Sequence, residues 1–171
     1  MIAIADSSLI ILLTRIGRTD LLRDLFTEVI NPRAVHEEIG AGGSRPGAAE
    51  LAAASWITVR SVMDQTGVQA LLGELGRGEA EVIVLAEELG KPATVLLDDA
   101  AGRRVARQRG LPVLGSAGVL VQGKERGLLP SVRPVLDDLR AAGLYLSDTL
   151  YQRLLAGIGE APVDVPSREH E

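Results

Sequence analysis

The sequence contains no cysteine, which excludes a disulfide framework and a thiolate metal site. It has only two histidines, so a zinc site built on imidazole ligands is not expected. Aromatic residues make up 2% of the chain, and the core must therefore consist of Leu, Val, Ile and Ala packed between layers. No apolar run approaches the roughly 18 residues that a membrane-spanning helix needs. Any metal site in this protein must use oxygen ligands.

The length of the chain, 171 residues, suits one well-packed domain and is short for two. We place this domain at residues 1–158 and expect the charged, proline-containing segment 159–171 to be a disordered tail. The formal net charge of −5 argues against a broad basic surface, so nucleic acid would have to bind at a local patch. The N-terminus has no signal-peptide pattern, which predicts a cytoplasmic protein.

The run 94–97 is uniformly apolar, as is typical of a central strand of a parallel sheet that is covered on both faces. It ends at Asp98 and Asp99, ahead of an arginine-rich helical segment. Ligands of parallel sheets bind outside the carboxyl ends of the strands, where these two carboxylates would lie. Either aspartate alone is also explained as the N-cap of the following helix.

Strands and helices alternate along the chain, which predicts the α/β class: a three-layer α/β/α domain with a central, mainly parallel sheet and right-handed crossovers. The first apolar strand, 1–5, also ends in a carboxylate, that of Asp6. If this strand and the strand 94–97 are neighbours, Asp6 lies beside Asp98 and Asp99.

Two glutamates are expected on the inward faces of helices. The helix after the second strand places Glu38 on the side of Val35, where a buried carboxylate needs a partner or a cation. The helix predicted over 79–89 continues its apolar face into Glu79 at its first turn, while Glu81 lies nearer the border of that face. A favourable interaction with the helix dipole alone also explains Glu79.

Four or five carboxylates that share one crevice raise each other's pKa, and a divalent cation relieves the repulsion. Oxygen ligands without His or Cys select Mg²⁺ or Mn²⁺. A cation held in this way can activate water and stabilise the leaving oxygen in the hydrolysis of a phosphodiester. The carboxylates are therefore compatible with a metal-dependent enzyme that hydrolyses phosphodiesters.

Two other uses of strand-end acids fit less well. A phosphoryl-transfer enzyme with Asp6 as nucleophile would want a second Asp two residues later, where Ser8 stands. A receiver-type signalling module would carry its phosphorylated Asp after a middle strand and a Lys near the end, and we see no such pair. A non-enzymatic protein that keeps the fold and the metal but has lost hydrolysis is also compatible with the sequence.

Several short motifs together resemble those of PIN-domain proteins. The segments GRGEAEVIVLA, LLDDAAGRRVA, GLPVLGSAGVL and GLLPSVRPVLDDLRAAGLYLSD are similar to a prokaryotic subgroup related to the toxins of type II toxin–antitoxin pairs. The resemblance spans about residues 1–158. The motifs that carry the four acids are Asp6-Ser7, Glu38 after Pro32, Gly78-Glu79, and Asp98-Asp99 ahead of Arg103-Arg104.

The resemblance implies a ribonuclease that depends on Mg²⁺ or Mn²⁺, has RNA as its substrate and, in many members, is blocked by a small antitoxin. Carried over by position, the first acid is Asp6, the second Glu38, the third Glu79 and the fourth Asp98 or Asp99. The chain departs from the pattern in having Glu where Asp is commoner at the third position. We also expect a homodimer. The main alternative is a catalytically inactive PIN-fold protein that binds nucleic acid or a protein partner.

Other side chains are candidates for supporting roles. Glu81 is a possible further ligand, and Ser7 and Ser116 can hydrogen-bond a carboxylate or a metal-bound water, although both also suit helix caps. A positively charged helix follows the last acids, and an acidic protein needs local cations to hold phosphates. A solvated helix face explains the same charges equally well. The candidates for RNA binding are Arg103, Arg104 and Arg107.

Overall fold

The computed structural model describes residues 1–41, 53–90 and 93–160, and these form an α/β/α fold in three layers around one sheet. The described strands all pair in parallel, in the order β3-β2-β1-β4-β5, so the predicted fold class is confirmed. The strands are β1 (Ile2–Ala5), β2 (Glu28–Pro32), β3 (Ile57–Arg60), β4 (Ala93–Leu96) and β5 (Val113–Leu114).

The helices occupy most of the chain between the strands, as right-handed parallel connections require. Within the described ranges, no helix is both long and apolar enough to cross a membrane. The helices are α1 (Ser7–Arg15), α2 (Asp20–Leu25), α3 (Arg33–Ala41), α4 (Gln65–Leu71), α5 (Arg77–Glu88), α6 (Ala100–Gln108), α7 (Ser116–Glu125), α8 (Arg133–Ala142) and α9 (Asp148–Gly157).

The core is aliphatic, as the shortage of aromatic residues predicts. Ile4 on β1 and Leu96 on β4 are completely buried and belong to one apolar cluster that continues into the helices on both sides of the sheet. Burial of each such side chain stabilises the fold by about 1.5–3 kcal/mol relative to its exposure. All of β4 is buried, which agrees with a central strand covered on both faces.

Helix α5 begins two residues earlier than its pattern predicts, because Gly76 is the N-cap and Arg77 and Gly78 already belong to the first turn. The Glu79 carboxylate accepts a hydrogen bond from the backbone N–H of Gly76 at 2.7 Å, which closes this turn. A helix whose N-cap is glycine lacks the usual side-chain cap, and here the glutamate at the third position satisfies the free N–H instead.

The chain is held firmly at Glu160, inside the segment 159–171 predicted as a tail, while residues 161–171 of that segment lie outside the described part. The Glu160 carboxylate accepts hydrogen bonds from Lys124 Nζ at 2.7 Å and from the backbone N–H groups of Val132 and Arg133 at 2.7 and 2.8 Å. Burial alone would raise the pKa of Glu160, but these donors and the Ser131 hydroxyl outweigh it and hold the pKa at about 2. The ordered domain therefore extends at least to this residue.

The end of β1 depends on a buried amide on the neighbouring strand. Ile4 pairs with Ile30, so the carbonyl of Ala5 faces residue 32 of β2, which is Pro32 and has no N–H to donate. The Asn31 side chain, which is completely buried, donates from Nδ2 to this carbonyl at 2.7 Å. Asn31 thus completes the sheet at the residue before Asp6.

We predict that Asn31→Ala and Asn31→Leu each lower the free energy of unfolding by about 1–3 kcal/mol, because both leave the buried Ala5 carbonyl without a donor. Leu is larger than Asn and leaves no cavity, so a loss of stability in both variants cannot be the cost of a cavity alone. Urea denaturation of the purified proteins measures the effect. Unchanged stability in both variants would contradict it.

Candidate functional site

The topology brings two of the predicted acidic strand ends together. β1 and β4 are hydrogen-bonded neighbours, with Ala5 opposite Leu96. The backbone N–H of Asp6 continues this pairing by donating to the carbonyl of Leu96 at 3.1 Å. Asp6 and the pair Asp98-Asp99 therefore leave the same edge of the sheet, as expected if these strands were neighbours.

Asp6 combines a structural bond with a free oxygen. Its side chain is 8% exposed, and Oδ2 accepts hydrogen bonds from the backbone N–H of Ser8 at 3.2 Å and from the Ser8 hydroxyl at 2.5 Å. These bonds cap helix α1. Oδ1 has no hydrogen bond within the described residues and lies toward Gly78.

Gly78 brings helix α5 close to two of the carboxylates. A β-carbon placed on this glycine would lie 3.2 Å from Asp6 Oδ1, 3.3 Å from Val35 Cγ2 and 3.5 Å from Glu38 Oε2. A side chain at position 78 would crowd these groups, so the glycine lets the backbone approach them. Asp6 and Glu38 thus face one another across the start of α5.

The expectation that Glu38 is buried is wrong. Val35 on the same helix is completely buried, but Glu38 lies one turn later, past the edge of the core, and its side chain is exposed. Its Oε2 accepts a hydrogen bond from the Ser7 hydroxyl at 3.4 Å. Glu38 therefore reaches an open cavity rather than the core, and Ser7 holds it there.

The pKa of Glu79 is affected by the charges of the other acids. Its pKa is raised above 4.5, first by burial and then by repulsion from Asp6, Asp99 and Glu38, while the hydrogen bond from Gly76 acts in the opposite direction. The charges of three carboxylates from other elements thus act on Glu79. Glu79 closes the first turn of its helix and belongs to the acidic group as well.

The adjacent aspartates Asp98 and Asp99 diverge. Asp99 caps α6 by accepting a hydrogen bond from the N–H of Gly102 at 2.8 Å, and its charge acts on Glu79. Asp98 turns toward α7, where its two oxygens accept from the backbone N–H and the hydroxyl of Ser116 at 2.8 and 2.5 Å. Asp99 is therefore the member of the pair on the side of the other acids.

Glu81 has a separate role in the structure. It is 3% exposed, and so more deeply buried than the border position predicted for it. Its carboxylate accepts a hydrogen bond from the backbone N–H of Ala34 at 3.1 Å and pairs with Arg77 Nε at 3.2 Å. These contacts tie helix α3 to helix α5 and account for both carboxylate oxygens.

Of the three candidate arginines, two line one groove and the third is held in an ion pair elsewhere on the surface. Arg104 pairs with Glu74 and is exposed. Arg103 lies beside Asp98: a β-carbon on Gly115 would come within 2.8 Å of Asp98 Oδ1 and 3.0 Å of Arg103 Nη1. Arg103 and Arg107 line a common groove that starts at Asp98, and Arg104 does not.

An open cavity of about 730 Å³ lies at the acidic edge. Its volume is sufficient for a cation and a phosphate with its neighbouring groups. Glu37, the residue before Glu38, also reaches this cavity. The lining residues are Asp6, Ser7, Ser8, Ala34, Glu37, Glu38, Gly76, Arg77, Gly78 and Glu79.

The carboxylates have the chemistry of a site for a hard cation, although their side chains do not stand at ligand positions. Asp6, Glu38, Glu79 and Asp99 take part in no ion pair with any described residue, and all their donor atoms are oxygens, which suit Mg²⁺ or Mn²⁺. Within residues 1–41, 53–90 and 93–160, however, no three acidic or histidine side chains are arranged so as to hold a metal ion. Ligation would require these side chains to change rotamer.

Comparison with known proteins identifies the family. A model of the family DUF3368, described as a PIN domain, matches residues 2–160, nearly the whole chain. The chain belongs to the PIN-domain family. PIN domains are generally nucleases that bind nucleic acid and typically use divalent metal ions. No curated protein matches the chain.

Two positions at this edge were missed by sequence reasoning. The role of Asn31 could have been found from the next residue. Pro32 has no N–H, and the side chain of an asparagine before it can supply the missing donor at the strand end. No sequence pattern marks Gly115, because its importance comes only from the close approach of Asp98 and Arg103 in the folded chain.

We predict that Asp6→Asn lowers the raised pKa of Glu79 in metal-free buffer, because it removes one of the three repelling charges and keeps an acceptor for the cap of α1. Burial, the largest cause of the raised pKa, is the same in the variant, so the change in pKa reports the charge of Asp6. Carbon-13 NMR titration of the Glu79 carboxyl group measures it.

The control is Asp24→Asn, which removes an exposed aspartate on α2 that makes no hydrogen bond or ion pair with any described residue. This variant should leave the pKa of Glu79 unchanged. An equal pKa in the parent and Asp6→Asn would show that the carboxylates do not interact.

Proposed function

We propose that the protein is a ribonuclease that hydrolyses RNA with a Mg²⁺ or Mn²⁺ ion held by Asp6, Glu38, Glu79 and Asp99. The observation that supports this most strongly is the meeting of these four carboxylates, from four different elements, at one edge without an ion pair to any described residue. A protein that needed them only as helix caps would gain nothing from their mutual repulsion.

When bound, the divalent cation supplies an activated water and neutralises charge on the phosphodiester. The chain's own residues prepare the cavity for it. Ser8 and Ser7 hold the carboxylates of Asp6 and Glu38 at its wall, and Gly78 leaves room between them. The uncompensated negative charge attracts a cation strongly, because the site is partly buried and solvent screens it only in part.

Asp98 has a positioning role in this proposal. Both its oxygens are occupied by Ser116, so it fixes the end of β4 against α7 and keeps Asp99 directed toward Glu79. The sequence left the choice between Asp98 and Asp99 open, and we assign the ligand role to Asp99. Glu81, which joins α3 to α5, is assigned a structural role.

The finer biological assignment rests on the resemblance of the motifs to toxins of type II toxin–antitoxin pairs. We propose that a small antitoxin blocks the acidic cavity. The homodimer and the cytoplasmic location stay predictions. The alternative, a PIN-fold protein that binds nucleic acid without hydrolysing it, has one observation in its favour: no three described acidic or histidine side chains stand ready to ligate a metal.

We predict that the purified protein cleaves RNA with Mg²⁺ or Mn²⁺ and not with EDTA. Asp6→Asn, Glu38→Gln, Glu79→Gln and Asp99→Asn should each lower the rate by about two orders of magnitude or more, and double variants should lose little more, because residues that act as a unit are not additive. Gel analysis of labelled RNA over time measures the rate.

The matched controls are Asp24→Asn and Glu125→Gln, both at exposed positions in other helices, and they should retain the parent rate. Asp98→Asn separates the two adjacent aspartates: it should act less severely than Asp99→Asn if Asp98 only positions the strand end. Metal-dependent cleavage that persists in Asp6→Asn would overturn the assignment, and a parent that binds RNA and the metal but never cleaves would favour the inactive alternative.

A further inference from the structure

A second groove, of about 580 Å³, starts at Asp98 and runs along α6, β5 and the connection between α8 and α9. Most of its surface is apolar, supplied by Leu144, Leu146 and Leu154 among others. Arg103 and Arg107 are the two cationic side chains along it. The lining includes Asp98 and Ala100, the residues on either side of Asp99 in the sequence. An apolar surface that arginines border at this place needs an explanation that the metal site does not give.

Tyr145 in this groove differs from the other aromatic residues. The chain has four aromatic residues, and three of them pack against the core: Phe26, Tyr151 and, half-buried, Trp56. Tyr145 is 93% exposed. A protein so poor in aromatic residues thus presents one complete ring to solvent, in a groove that two arginines also line.

The segment that carries Tyr145 is anchored at both ends. Gly143 is the C-cap of helix α8, with a φ of 118° in the left-handed region, and the N–H of Leu144 donates to the carbonyl of Leu139 at 2.9 Å. Ser147 is the N-cap of helix α9, and its hydroxyl accepts from the N–H of Leu150 at 3.3 Å. The ring is therefore presented by a short, capped connection between two helices.

The arginines of the groove have the charge that a phosphate backbone requires. Two arginines in and directly after helix α6, Arg104 and Arg109, are paired with Glu74 and Glu87. Arg107 is exposed and makes no ion pair with any described residue, whereas Arg103 lies beside Asp98. Arg107 therefore brings an unpaired positive charge to the groove, and Arg103 brings a second cationic group.

From these observations we infer that the groove binds single-stranded RNA, with an unstacked base on the ring of Tyr145 and phosphates on Arg103 and Arg107. The inference rests on the proposed function, since it supplies the substrate path to the acidic cavity. Aromatic rings and arginines are the side chains on which unpaired bases and their phosphates bind. The bases of a duplex are stacked on each other and cannot use the ring, so the groove selects single strands.

The test measures RNA binding in EDTA, where hydrolysis cannot occur, with a short single-stranded RNA that carries 2-aminopurine. The fluorescence of this base is quenched when it stacks. The parent should bind and quench, and Tyr145→Phe should do both because it keeps the ring. Tyr145→Ala should bind roughly tenfold more weakly or worse and should lose the quenching. The control Met63→Ala, at another exposed apolar side chain, should behave as the parent.

Arg107→Ala should weaken binding of the RNA. It should also make the fall of log affinity with log salt concentration less steep, by about the amount that one phosphate contact contributes. Arg23→Ala, which removes an exposed arginine on α2, should leave the slope unchanged. Equal affinity for a duplex of the same length, unchanged binding in Tyr145→Ala, or no RNA binding by the parent would each overturn the inference.

The same samples separate this inference from the proposed function. Ring-dependent binding without cleavage in Mn²⁺ would contradict the nuclease and leave the groove assignment intact. Metal-dependent cleavage at the parent rate in Tyr145→Ala, with RNA binding that does not depend on the ring, would support the nuclease and contradict the groove assignment. If the groove instead holds an apolar segment of a protein, RNA binding will be independent of the ring.

Discussion

The parallel pairing of β1 with β4 is the constraint on which the candidate site depends. It places Ala5 opposite Leu96 and carries the chain directly into Asp6 on one strand and Asp98-Asp99 on the other. A slip of one residue would turn the side chains of β1 to the opposite faces and move Asp6 away from Glu79. The burial of both strands fixes this register, so the core determines where the acids meet.

The acidic edge balances local stabilisation against mutual repulsion. The acids are held by donors close in the fold: Ser8 for Asp6, Gly76 for Glu79 and Gly102 for Asp99. The hydrogen bond from Gly76 lowers the pKa of Glu79, while burial and the neighbouring charges outweigh it and raise this pKa. Such a perturbed group in an open cavity is typical of functional sites, where residues are arranged for chemistry rather than for stability. The nearby groove has the complementary character, with arginines and an exposed ring.

Much of this arrangement could be predicted from the sequence. The sheet and the strand-end positions of Asp6 and Asp99 follow from short apolar runs that end in acids, because parallel strands deliver their carboxyl ends to one edge. The exposure of Glu38 could not be predicted, since helical periodicity does not show where the core ends beyond Val35. The divergence of Asp98 from Asp99 depends on Ser116, which is distant in sequence and donates to only one of them. The isolation of the Tyr145 ring could be seen only in the folded chain.

The most direct test of the central claim, that these carboxylates form a site for a divalent cation, is calorimetric titration of the metal-free protein with Mn²⁺ in buffers of different ionisation enthalpy. The account predicts that Mn²⁺ binds and releases protons near the raised pKa of Glu79, because a ligand must be deprotonated to bind a metal. It also predicts that Glu79→Gln binds more weakly and releases fewer protons, whereas Glu125→Gln matches the parent. Absence of Mn²⁺ binding, or binding that is identical in Glu79→Gln and the parent, would contradict it.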